Sequence, residues 1–233
     1  ILAMSGLVLL TASSPGTAWV GHIGSGVALG LAAVVLYRGR SRGRVPNTLA
    51  LWGAAAGLGA LAELLGLILP PPTWPGVSLA DVLTLSALLL AQAGVIQYAW
   101  GPDERFGRLR TVLDVVVLAG VGTTLGWRLF LAPLWVGLNA APGLTLWLVA
   151  CSALALSLVI TLFVAAVIHA GRSRTLAWAG PGLLLWGFAE LAFTFMGQRA
   201  PGDLGIVMWG RWGAGVLLCL EALPPRPPAW WQS

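Results

Sequence analysis

The sequence predicts an all-α polytopic membrane protein with seven or eight transmembrane helices, and three observations predict it. Of the 233 residues, 58% are hydrophobic and 9% are charged, whereas a soluble domain carries roughly 25% charged residues. The apolar stretches have about the 20 residues that a helix needs to cross a bilayer. The connecting loops alternate in arginine content. Because no long polar stretch interrupts the chain, we interpret residues 1–233 as a single transmembrane helical domain.

Seven stretches have the length and composition of a membrane span, and an eighth, residues 1–12, is shorter and is interpreted as part of a helix. The breaks between the stretches contain proline, glycine and serine, as in SSPGT, PPPTWPG and QRAPGD, which are typical of turns and loops. The seven stretches are 17–37, 46–69, 79–100, 111–131, 143–169, 175–196 and 205–223.

The arginines predict the orientation in the membrane. The loops at 38–44, 103–110 and 171–174 carry four, three and two arginines, and the chain contains no lysine. Positively charged loops stay on the cytoplasmic side, so both termini are predicted to be cytoplasmic. Arginine without lysine, together with much alanine, glycine and leucine, is typical of a GC-rich bacterial genome, which predicts the bacterial inner membrane. The net charge of +5 is therefore assigned to topology and not to nucleic-acid binding, and the expected surroundings are a lipid bilayer.

Two of the predicted helices resemble each other. TLALWGAAAGLGALAEL at 48–64 aligns without gaps on TLAWAGPGLLLWGFAEL at 175–191, with eight of seventeen positions identical. Each copy follows an arginine loop, and the copies are four helices apart in chain order, so they are expected to run in the same direction. The pattern predicts a parallel internal repeat.

Six polar residues are predicted to gather in the outer half of the membrane, one from each of six helices. Each of the two glutamates lies about 22 Å above the start of its repeat copy, at 1.5 Å per residue. An unpaired charge in lipid costs several kcal/mol, so we expect one glutamate to pair with each of two arginines, in either combination, around an outward-facing polar pocket. The predicted binding residues are His22, Glu63, Asp81, Arg128, Glu190 and Arg211.

Each of these residues also has a purely structural interpretation, which the sequence leaves open. Arg128 is close enough to the interface to extend its charge into water. Asp81 follows Ser78 in a Ser-x-x-Asp pattern that caps helices. Glu63 and Glu190 can equally be interpreted as members of structural ion pairs that bind no ligand. His22 can be interpreted as an ordinary histidine at the membrane interface.

No motif for catalysis or metal binding is present, so an enzyme is not expected. The sequence has no G-x-S-x-G, H-E-x-x-H, Walker A or C-x-x-C pattern, and without lysine it cannot hold retinal as a Schiff base. Cys151 and Cys219 lie in apolar segments without metal or disulfide spacing. The sequence requires no cofactor; a pigment or haem held by His22 or His169 alone stays open.

Several stretches together resemble one protein family. They are SLADVLTLSALLLAQAGV at 78–95, RLRTVLDVVVLAGVGTTLGWRLFLAPLW at 108–135, the AEL helix ends and AGVLLCLEALPP at 214–225. These stretches resemble the multi-helix membrane region at the N-terminus of bacterial GGDEF and GGDEF–EAL proteins, which make or degrade cyclic di-GMP.

Within these stretches, short motifs carry the resemblance. Ala80-Asp81 opens one helix, Leu113-Asp114 and Trp127 mark another, and the last helix runs into Glu221 to Pro225. The resemblance implies a sensor that passes a signal to a cytoplasmic output. The sequence holds no GGDEF or EAL domain, so we expect either that the catalytic part lies in a part of the protein outside this sequence or that the chain is a free-standing membrane module.

Three functions follow from these observations. The first is a sensory or regulatory membrane module, as the resemblance implies. The second is a structural or accessory subunit of a larger membrane complex, including one that carries pigments or redox centres. The third is a small transporter, which the predicted repeat and the buried carboxylates permit.

Overall fold

The computed structural model describes an all-helical protein. Its described residues are 15–39, 46–68, 78–99, 142–168, 177–196 and 205–221, together with single positions between 113 and 132. The regular elements in these ranges are helices, which confirms the predicted all-α class. They are α1 Pro15–Gly39, α2 Pro46–Ile68, α3 Leu79–Ala99, α4 Pro142–Ile168, α5 Ala179–Met196 and α6 Gly205–Glu221.

Four of these helices contain a stretch that is long and apolar enough to cross a membrane. The stretches are Val20–Gly39, Asn47–Ile68, Leu79–Tyr98 and Val149–Ala166, and α5 adds a shorter apolar run. This composition indicates a membrane protein.

The remaining predicted spans are less completely described. Residues 1–12 lie outside the described part, and 111–131 is described only at single positions. The total of seven or eight spans therefore stays a prediction.

The six helices form a closed ring. Each helix packs against the next one in chain order, and α6 packs against α1. One core runs through the ring, and every helix contributes buried apolar side chains to it, among them Leu29, Trp52, Leu88, Leu158, Leu183 and Leu218. The ring positions α2 and α5, the two helices that carry the similar segments, on opposite sides of this core.

Apolar side chains also cover the outer surface of the ring. Leu31, Phe163 and Phe188 are more than half exposed. Helices that are apolar on all faces are typical of a membrane environment, because lipid solvates the outer face as the core covers the inner one.

Glycines bring α1 and α2 close together. A Cβ at Gly26 would lie 3.4 Å from the Cβ of Glu63, and a Cβ at Gly53 would lie 3.3 Å from the carbonyl oxygen of Ala33. Small residues at such positions allow membrane helices to pack backbone to backbone. The backbone of α1 therefore lies directly against the turn of α2 that carries Glu63.

Two side-chain contacts fix helix starts. At α3, the Ser78 hydroxyl accepts a hydrogen bond from the Asp81 amide at 3.1 Å, and the Asp81 carboxylate accepts one from the Ser78 amide at 2.7 Å. This is a reciprocal capping box. At α5, one carboxylate oxygen of Glu221, the last residue of α6, accepts hydrogen bonds from the amides of Trp178 and Ala179, both at 3.2 Å. A carboxylate at a helix N-terminus is favourable, so the end of α6 is attached to the start of α5.

Gly215 is expected to be indispensable to the contact between α6 and α1. A Cβ at this position would lie 2.7 Å from the carbonyl carbon of Ala28, which cannot move without moving α1. We expect Gly215→Ala to lower the free energy of unfolding by about 1–3 kcal/mol, the usual effect of overpacking. The matched control is Gly120→Ala, because an added Cβ at Gly120 meets nothing within 4 Å. Thermal unfolding in detergent, followed by circular dichroism, measures both; equal stability of the two variants would contradict the prediction.

Candidate functional site

A cavity lies at the end of the ring where α1, α3 and α6 begin and α2 and α5 end. Its volume is about 160 Å³, close to the ~150 Å³ that holds one benzene-sized molecule. Every helix of the ring contributes at least one lining residue. The polar and titratable side chains in the lining include His22, Glu63, Asp81, Cys151, Glu190 and Arg211.

Arg211 is the centre of the polar contacts in the cavity. Its Nε and Nη2 atoms donate to the two carboxylate oxygens of Glu190, both at 2.8 Å. Its Nη1 atom donates to Oε1 of Glu63 at 2.7 Å. The guanidinium therefore binds Glu190 through both oxygens, the strongest arrangement for this pair, and binds Glu63 at the same time. The central carbon of the guanidinium also lies 5.5 Å from the centre of the Phe193 ring, a cation–π distance.

Two further side chains complete the partners of the carboxylates. Nδ1 of His22 lies 2.5 Å from Oε2 of Glu63. Nε1 of Trp186 donates to Oε1 of Glu190 at 3.0 Å. We refer to His22, Glu63, Glu190 and Arg211 as the polar cluster.

Gly59 makes room for the tryptophan that serves this cluster. A Cβ at Gly59 would lie 2.8 Å from Cζ2 of Trp186, so a larger residue on α2 would displace the indole. Positions 59 and 186 are equivalent in the alignment of the two similar segments, as are 63 and 190. The two segments thus face each other across the core. Gly59 lies opposite Trp186, and Glu63 and Glu190 both bind Arg211.

Burial differs among the members of the polar cluster. The side chains of Glu63 and Glu190 are 2% and 3% exposed, that of Arg211 is 12% exposed, and that of His22 is 25% exposed. The carboxylates are thus buried in the bundle, while the imidazole lies at the edge of the cluster. The cluster thus joins two buried carboxylates to one guanidinium, with the imidazole of His22 as a further partner of Glu63.

The structure brings together five of the six predicted site residues. His22, Glu63, Asp81, Glu190 and Arg211 all line the cavity. Asp81 has both roles that the sequence left open, because it lines the cavity and also belongs to the capping box of α3. Arg128 stands apart, because its side chain is exposed. Of the two arginines expected to share the glutamates, Arg211 binds both.

Other residues that line the cavity or support the polar cluster were not predicted as site residues from the sequence. Cys151 and Phe193 line the cavity, and Trp186 binds Glu190. Trp186 precedes Glu190 by four residues, a spacing that places both on one helix face and that could have indicated the contact. Phe193 follows Glu190 by three residues, a spacing that also places both on one helix face. The sequence holds no such signal for Cys151.

The cavity has room for a small ligand. Within the described ranges, no group of three or more histidine, cysteine, aspartate or glutamate side chains is placed to hold a metal ion. Sites for drug-sized ligands and cofactors occupy roughly 300–1,000 Å³, more than the 160 Å³ found beside His22. His169, the other residue considered for a pigment, lies outside the described residues.

Comparisons of the chain with protein-family models, with curated proteins and with solved structures find no match. The resemblance to the membrane region of GGDEF proteins therefore stays a prediction from the sequence motifs.

Removal of the arginine is expected to destabilise the protein strongly. Arg211→Met would leave two buried carboxylates without their cation, and breaking a buried pair in this way costs about 3–5 kcal/mol. Adding Glu63→Gln and Glu190→Gln to this variant removes the stranded charges and should restore part of the loss. The control is Arg128→Met, which changes an exposed side chain. Thermal unfolding of the four proteins in detergent measures the effects; an Arg211→Met protein as stable as Arg128→Met would show that the cluster does not hold the helices together.

The Trp186 hydrogen bond is expected to contribute to stability beyond the size of its ring. Trp186→Phe removes a donor from a buried carboxylate, a bond worth about 1.5–3 kcal/mol. Trp52→Phe is a closely matched control, because Trp52 is as deeply buried and its Nε1 has no hydrogen-bond partner among the described residues. We therefore expect Trp186→Phe to unfold at a lower temperature than Trp52→Phe in the same detergent. The reverse order would contradict this assignment.

Proposed function

We propose that the protein is a sensory or regulatory membrane module, in which a signal at the polar cluster changes the packing of the helices and so reaches a cytoplasmic output. One observation carries the proposal: the cavity is lined by all six helices, and Arg211 on α6 binds carboxylates on α2 and on α5. A ligand or a charge change at this point alters several helix interfaces at once. A site that joins so many elements is suited to converting a local event into a shift between two arrangements.

The path to the output is proposed to run along α6. Arg211 lies near the start of this helix and Glu221 at its end, ten residues later, which corresponds to about 15 Å. The same helix thus binds the polar cluster at one end and the first amides of α5 at the other. A shift of α6 that accommodates a change around Arg211 would also move the start of α5.

The proposal includes an orientation in the bacterial inner membrane, with the cluster in the outer half and both termini in the cytoplasm. Its support is the position of the cluster relative to the arginines. The segments at 38–44 and 171–174, with four and two arginines, precede α2 and α5. Glu63 and Glu190 lie near the opposite ends of these helices.

Seven or eight spans and a parallel repeat are part of the same proposal. The repeat is supported by the pairing of equivalent positions, since 59 contacts 186 and since 63 and 190 share Arg211. By the resemblance, the output is a cyclic di-GMP domain of the same protein or of a partner chain.

An accessory subunit of a larger membrane complex is the alternative. The outward apolar side chains of the ring favour it, because another membrane chain can cover them as well as lipid does. Partner chains that co-purify in fixed proportion in a mild detergent would support this function. A transporter has less support, because transporter sites use interrupted helices, whereas α1 to α4 run unbroken through their described lengths.

Coupling between the polar cluster and the far end of the ring can be measured directly. Tyr37 and Leu220 are exposed near the ends of α1 and α6, away from the cluster. Spin labels at Tyr37→Cys and Leu220→Cys, in a protein whose own cysteines are replaced by serine and which is reconstituted in lipid vesicles, report the distance between these ends. We expect Glu190→Gln to shift the distance distribution, because it removes one of the two counterions of Arg211.

The control for this measurement is Arg128→Gln, a change of charge at an exposed position, and its distribution should match that of the parent protein. A folded Glu190→Gln protein whose distances equal those of the parent would overturn the proposed coupling. A shift of equal size in the control would overturn it too, since it would show that any change of charge has this effect.

A further inference from the structure

We propose that the signal read by the polar cluster is the proton concentration on the side of the membrane where the cluster lies, and that His22 is the residue that binds the proton. This inference rests on the proposed sensory function and identifies its signal. It follows from the position of the imidazole, from the charges that surround it and from the range in which histidine titrates.

The imidazole is placed to exchange protons with its surroundings. Its Nδ1 atom is 2.5 Å from Oε2 of Glu63, and its side chain is 25% exposed, the most of any member of the polar cluster. Within the described residues, Nδ1 has this one partner and Nε2 has none. His22 therefore joins the cavity edge to the buried carboxylate.

Every helix packed around the cavity presents a charged or titratable group toward this point. They are Glu63 on α2, Asp81 on α3, Cys151 on α4, Glu190 on α5 and Arg211 on α6. Carboxylates ordinarily titrate below pH 5, and thiols and guanidinium groups above pH 8. Histidine is the side chain that ordinarily changes charge between these limits, and His22 is the histidine that lines this cavity.

The charge of His22 decides the balance of the buried cluster. With a protonated imidazole, His22 and Arg211 offset the two glutamates. With a neutral imidazole, one negative charge is left without compensation in a region where lipid and apolar side chains provide little solvation, which is costly. Loss of the proton therefore weakens the attraction between α1 and α2 and leaves Arg211 with two carboxylates to itself, which favours a different packing of α1, α2 and α6.

The same spin-labelled protein tests the inference when the pH is varied between 5.5 and 8. We expect the ratio of two distance populations to change roughly 5- to 150-fold, the usual range of coupling between sites, and the unfolding temperature to fall as the pH rises. His22→Gln should show the high-pH distribution at both pH values. His22→Lys, which keeps a positive charge throughout this range, should show the low-pH distribution at both.

The chain provides a matched control in its second histidine. His169→Gln should keep the full response to pH. A response that survives in both His22 variants, or that is lost in His169→Gln, would overturn the inference. If His22→Gln fails to fold, His22→Lys decides it alone: a pH response in that variant would count against the proposal.

Failure of this inference can be told apart from failure of the proposed function. Distances that do not change with pH, but that shift in Glu190→Gln, would remove the proton as the signal and leave the coupled cluster in place. If the distances change neither with pH nor in Glu190→Gln, both the proton signal and the proposed sensory function are overturned.

Discussion

The contact of Arg211 with Glu63 and Glu190 is the constraint on which the rest of the structure depends. A guanidinium and two carboxylates that are almost fully buried are tolerable in a bilayer only together, because neither water nor lipid can replace their partners. The three side chains come from three different helices, and the imidazole of a fourth completes the set. Neither α2 nor α5 can move away from α6 without separating these charges. The polar cluster therefore selects one arrangement of helices whose apolar faces would permit many.

Close backbone contacts make this arrangement geometrically possible. Gly26 lets α1 lie against the turn that carries Glu63. Gly59 on α2 leaves room for the ring of Trp186, whose Nε1 donates to Glu190 one turn further along α5. Between membrane helices, packing and hydrogen bonding replace the hydrophobic effect as the force of association. Small residues and the polar cluster therefore act at the same interfaces: glycine determines how near the helices come, and the ion pairs determine which turns meet. Asp81 has both a structural and a cavity position, since it caps the start of α3 and also lines the cavity.

Much of the fold could be predicted from composition and spacing, because apolar stretches of this length leave little choice but helices. The gathering of His22, Glu63, Asp81, Glu190 and Arg211 followed from their heights along the helices, which depend only on the rise per residue. The rotation of each helix could not be predicted in this way. Rotation decides that Arg211 faces both glutamates and that Arg128 is exposed, and the helices are apolar on every side, so their sequences carry no stripe that indicates it. The closure of the ring between α1 and α6 depends on Gly215. The sequence around Gly215 has no feature that distinguishes it from the many other glycines of the chain.

The contacts of Glu63 have a consequence for the order of assembly during synthesis. Arg211 follows Glu63 by 148 residues, so at about 5–20 residues per second it is made roughly 7–30 s later. His22, in contrast, precedes Glu63 by 41 residues and lies on the helix that packs directly beside it. The carboxylate of Glu63, which enters the bilayer early, thus already has the imidazole as a partner, and it gains Arg211 as a second partner when α6 is made. The pair of α1 and α2 can in this way be inserted as a unit, with its acidic residue covered, well before the ring is complete.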